Sequence, residues 1–114
     1  MKIKTSSLDN KTTVLVVEPG DVGPVVERLK IQPNGYAIMG EDAGISVSMA
    51  VVDSRRLKEG WFTKDHLLAI EAHELGHIRM NSTEEHVAEL EGIRLLEANG
   101  HTEAAEILHA RGIV

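Results

Sequence analysis

The chain has 114 residues, no cysteine, and 12 basic against 18 acidic side chains, a net charge of −6. That length suits one domain with one modest core, and the charge argues against nucleic acid or an anionic membrane as partner. The lack of thiols excludes disulfides, Cys-ligated zinc and a cysteine nucleophile, and with no apolar leader and no stretch near the ~20 residues of a membrane helix a cytoplasmic protein is expected.

Residues 1–60 are rich in Val, Ile, Thr, Gly and Pro, and residues 61–114 in Glu, Ala, Leu and His. Strands followed by helices predict a single α+β domain over 1–114 with a small antiparallel or mixed sheet of about three strands. Residues 2–6 can add an edge strand. Thr12 to Glu18 is a β-branched run closed by Pro19-Gly20 and reads as a buried strand. Asp21 can cap a short helix with Val22, Val25, Val26 and Leu29 on its apolar side. Pro33-Asn34-Gly35 is a turn, Tyr36 to Met39 a short strand, and Gly40 to Gly44 a loop. Ile45 to Val52 alternates with period two, as in a half-buried strand antiparallel to 36–39.

Thr63 can cap a helix to Met80, with Asp65 suited to its first turn. Ser82 followed by Glu85 has capping-box spacing, so another helix starts near Thr83 and runs to Asn99, stopped by Gly100. The short connection makes these two helices an antiparallel hairpin. Thr102 can cap a last short helix through about Arg111, ended by Gly112.

The hairpin carries the chemistry. His73-Glu74-Leu75-Gly76-His77 is H-E-x-x-H inside a predicted helix. Four residues along a helix bring both imidazoles to one face, where they can share a metal ion. Glu74 can reach a water on that metal without ligating it, and a zinc ion lowers the pKa of such a water to ~7. With six histidines and 13 glutamates in the chain, shuffling would produce this pattern about 0.03 times.

A catalytic zinc takes three protein ligands and keeps one position open. Residue 83 is Thr and residue 80 is Met, so the metzincin spacing with a third His is rejected. The alternative is a carboxylate from the next helix. Glu85 shares a stripe with Ala88, Gly92 and Leu96, and the small residues would let the helices approach closely. Helical phase therefore favours Glu85, with Glu84, His66, His86 and Glu89 as alternatives. Glu89 is one turn beyond Glu85, where it can accept a ring N–H of His73 or His77. Tyr36 is a candidate proton donor to a scissile carbonyl.

HELGH followed by Glu85-His86-Val87-Ala88-Glu89 resembles the gluzincin pattern H-E-x-x-H … E-x-x-[AS]-[DEN]. It is similar in particular to small ImmA/IrrE-type metallopeptidase domains, over about residues 63–100. Position 89 is Glu where Asp or Asn is usual in that pattern. The resemblance implies a minimal zincin-like fold with Zn2+ on His73, His77 and Glu85 and with Glu74 as base. It implies a zinc-dependent metalloprotease that hydrolyses peptide bonds in a peptide or protein substrate through a metal-activated water. It also implies a substrate paired with an edge strand beside the active helix, for which Ile45, Ser46, Val47, Ser48 and Met49 are the candidates. A chain this small has little room for an elaborate pocket, so a regulatory or docking protein is an expected partner. The competing expectation is a non-catalytic interaction module in which zinc staples the hairpin.

Overall fold

The computed structural model describes the backbone of residues 1–42 and 45–110 and the side chains of 1–40 and 48–110. Ala43 and Gly44 of the expected loop, and Arg111 and Gly112 of the expected last helix end, lie outside the described residues. Four strands form one mixed sheet in the order β1-β2-β4-β3: β1 (Lys2–Thr5), β2 (Thr13–Val17), β3 (Gly35–Asp42) and β4 (Ile45–Asp53). β1 is antiparallel to β2, β2 parallel to β4, and β3 antiparallel to β4. One strand more than expected is present, because residues 2–5 pair in full with 13–16.

The register sorts the side chains by face. Val14, Ala50 and Val52 point to one side and join the larger core, while Leu15, Val17, Tyr36 and Val51 point to the other. The short helix α1 (Pro24–Arg28) covers that second side with Val26 and Leu29. Ala50, Val51 and Val52 are therefore all buried, where the alternating pattern predicted one buried face. Each buried valine contributes roughly 1.5–3 kcal/mol of apolar transfer. Asp21 does not cap α1. It accepts from the Glu18 amide and the N-terminal ammonium and so closes the turn after β2.

A 3₁₀ turn (Ser54–Lys58) leads into α2 (Lys64–Met80), α3 (Glu85–Ala98) and α4 (Thr102–His109). Thr63 caps α2 as expected, and His66 supplies the reciprocal half of a capping box. At the other end Asn81 adopts the left-handed conformation with φ 46°. Its amide returns to the Ile78 carbonyl and that of Ser82 to the His77 carbonyl, which is a Schellman closure. The α2 and α3 backbones then approach closely through Gly76 against Ala88 and Gly92 against Ala72. Among the described residues no helix is long and apolar enough to cross a membrane.

An ion-pair network clamps the far side of the hairpin. Glu91 on α3 accepts from Arg94 at 2.6 Å and from Arg79 on α2 at 2.8 Å, and Arg79 also lies 3.5 Å from Asp9. Hydrogen bonding to Arg94, reinforced by Arg79 against the opposing effect of burial, holds the Glu91 carboxyl down at about 2. A depressed folded-state value means the stabilisation is complete above the ordinary glutamate range and is lost as pH falls from 4.5 toward 2. Glu91→Gln should therefore cost about 1 kcal/mol near pH 7. The gap between the urea midpoints of variant and parent should narrow by about half between pH 5 and pH 3 and close toward pH 2; a gap that persists unchanged at pH 3 would contradict this account.

Candidate metal centre

α2 carries the centre because residues 69–77 are buried between the sheet and the helices α3 and α4. His73, Glu74 and His77 are all buried, and one donor atom from each lies within 4.8 Å of the others. The His73 and His77 rings are nearly perpendicular with centroids 4.9 Å apart, as expected of imidazoles one helical turn apart that converge on one point. Glu85 reaches in from the solvent side as the first residue of α3. Its carboxylate lies 2.8 Å from His73 Nε2 and 3.1 Å from His77 Nε2, with the side chain still 59% exposed.

This is a different job for Glu85 from the capping box that the spacing with Ser82 suggests. Ser82 Oγ accepts from the Glu84 amide, α3 begins at Glu85, and Glu84 at its N-cap makes no side-chain cap. The Glu85 carboxylate is thereby left for the histidines.

The helix corner fixes the chemistry of His77. Its Nδ1 lies 2.7 Å from the Ser82 carbonyl. A carbonyl only accepts, so Nδ1 carries the proton and donates it. In a neutral ring Nε2 is then a lone pair, and it faces a carboxylate oxygen at 3.1 Å. Two acceptors meet there, and the contact becomes favourable when a proton or a metal cation lies between them. Two imidazole nitrogens and a carboxylate oxygen form a donor set that suits zinc. The same Schellman corner that ends α2 therefore selects the tautomer that leaves Nε2 free for a metal.

His73 is held below its ordinary value, by burial first, so its neutral, ligating form is favoured against the pull of Glu85 and Glu89. Its Nδ1 is buried without a hydrogen bond. Glu89 is buried beside α2, and its charge acts on His73. Glu74 is pushed up to about 8, by burial and then by the Glu85 charge. A bound dication would act in the opposite direction.

The centre opens into a cleft of about 460 Å³ that also reaches Arg28, Gln32, Tyr36 and Met39. Gly35 makes the cleft possible. A Cβ there would lie 2.6 Å from the Val51 carbonyl and 2.8 Å from the Ile70 side chain, so only glycine lets α2 come this close to the sheet.

The expected substrate strand needs correcting. Ile45 to Met49 is hydrogen-bonded to β3 along its whole length, and β4 gains β2 as a second neighbour from Met49 onward. The sheet margin beside the centre is β3, because the hairpin folds β3 over the outside of β4. The side chains of Ile45, Ser46 and Val47 lie outside the described residues. Of the alternative ligands, His66 is committed to the α2 cap and stacks on Phe62, and His86 is exposed on α3. Tyr36 points to the α1 side of the sheet, away from the α2 face.

Sequence reasoning missed the Ser82 carbonyl, which is main chain and leaves no trace in residue type. It missed the buried Glu71 on α2, which accepts from Ser6 at 2.6 Å and pairs with Lys4 at 2.9 Å. Gly35 had a signal in the Pro33-Asn34-Gly35 turn, but its steric role depends on the partner helix. No protein-family model matches this chain, and neither does any curated protein or solved structure.

Proposed function

We propose that this chain is a zinc-dependent peptidase of minimal, zincin-like build. The observation that carries the reading is the convergence of His73 Nε2 and His77 Nε2 on the Glu85 carboxylate, with the buried Glu74 at the same point of the cleft. Zinc held there supplies Lewis acidity, polarising a carbonyl and making water nucleophilic at neutral pH. Glu74 takes the proton of the attacking water and delivers it to the leaving amine. Burial favours the neutral form of His73, and the bond from Nδ1 to the Ser82 carbonyl holds the His77 ring with its Nε2 toward the site. The free margin of β3 offers main-chain groups to an extended peptide.

A second reading keeps zinc and drops the chemistry. Glu85 joins the start of α3 to α2 across the corner, so a metal there would also staple the hairpin. Against it stands Glu74, for which a purely structural site has no use.

Metal analysis of the purified protein, combined with a peptide-cleavage assay before and after chelation, tests both readings. One zinc per chain and cleavage that disappears on chelation and returns with zinc are expected. Zinc with a large chelation-induced loss of thermal stability and no cleavage would favour the staple. A protein that neither retains zinc nor is stabilised by it would overturn both.

A further inference from the structure

The cleft holds one cationic side chain among its described residues, and it does not belong to the metal centre. Arg28, the last residue of α1, lines the cleft together with His73, Glu74 and Glu85. Its guanidinium lies 4.4 Å from the centroid of the Tyr36 ring, and its Nε donates to Gln32 at 3.0 Å. Among the described residues it pairs with no carboxylate, although the chain is acidic overall. Stacking and the Gln32 bond fix its plane and leave the two terminal nitrogens free, which is the fork that binds a carboxylate in bidentate fashion.

Sheet geometry says what that fork faces. Tyr36 points to the α1 side of β3, while a Cβ on Gly35 would meet Ile70 on α2. The cleft therefore wraps around the free margin of β3 and touches both faces. A peptide extended along that margin turns alternate side chains to the two faces. Those on the α2 face meet the metal centre, and those on the α1 face meet Arg28.

We propose that Arg28 is a specificity-determining residue that binds a carboxylate of the substrate. This rests on the reading of the cleft as a peptidase site. The carboxylate can be an Asp or Glu side chain or the substrate's own C-terminus, and the test separates these sources.

The probes are fluorescent decapeptide mixtures with Glu, Gln or Lys fixed at each position in turn, each made with a free or an amidated C-terminus. Binding is measured by anisotropy on the zinc-loaded Glu74→Gln protein, and cleavage on the parent. A Glu-over-Gln preference of about tenfold at one position identifies a side chain. An acid-over-amide preference of that size identifies the C-terminus. Arg28→Met should bring the preference to about one with zinc content unchanged, and Arg28→Glu should turn it toward Lys. Equal binding of all mixtures, or a preference that survives in Arg28→Met, would overturn the proposal. Arg28-dependent binding without cleavage would reject the peptidase reading and leave the carboxylate site standing; cleavage indifferent to Glu and to Arg28 would do the reverse.

Discussion

If the chain is the zinc peptidase proposed, Glu74→Gln should keep zinc binding and abolish cleavage. The substitution keeps the shape and hydrogen-bonding reach of the side chain and removes its ability to take a proton. General bases contribute about 10²–10⁴-fold to rate, so cleavage should fall by at least about 100-fold. Metal content should stay at the parental level, because the convergent donors are His73, His77 and Glu85. The amide also suits the environment. A carboxyl pushed up to about 8 by burial and by Glu85 is a group that the metal-free fold prefers neutral, so the variant should fold at least as well as the parent. Titrating zinc into both proteins and following peptide cleavage side by side settles the matter. Equal cleavage rates would remove Glu74 from the chemistry; loss of zinc together with activity would make it a ligand instead.

The part of this centre that was legible in the sequence was the part that lies on one helix. Spacing alone puts His73 and His77 on one face of α2, and no knowledge of the rest of the fold is needed for that. Glu85 needed two elements, yet helical phase still selected it, because Ala88 and Gly92 mark the stripe of α3 that faces α2. The failures came where a residue's role depends on a third element. The alternation of Ile45 to Val52 correctly predicted a strand but could not reveal that β3 lies outside it. Period-two patterning reports which faces are covered and carries no information about lateral order in the sheet. Nor could it anticipate α1 covering the second face, which buries Val51 as deeply as Ala50 and Val52.

Gly76→Ala should show that Glu85, the proposed third ligand, is held in place by a steric contact outside the ligand set. Gly76 lies between Glu74 and His77, and a Cβ there would sit 2.1 Å from the Ala88 carbonyl oxygen and 2.8 Å from its carbon. Both atoms are backbone, so no rotamer relieves the clash and α3 has to move. Alanine gains up to ~1 kcal/mol over glycine in helix propensity, while overpacking of this kind costs about 1–3 kcal/mol or more. The clash should win, with a net loss of about 2 kcal/mol and a melting temperature lower by about 10 °C. The functional effect follows from geometry. Ala88 lies one turn after Glu85 on the same stripe, so displacing the α3 backbone there withdraws the carboxylate from His73 and His77, which remain on α2. Zinc affinity should then fall by at least about tenfold, since zinc–ligand distances tolerate only ~0.2 Å. Competition with a chelating dye measures the affinity, and calorimetry the stability. An intact zinc affinity in a destabilised protein would mean that the close approach of the two helices serves packing alone.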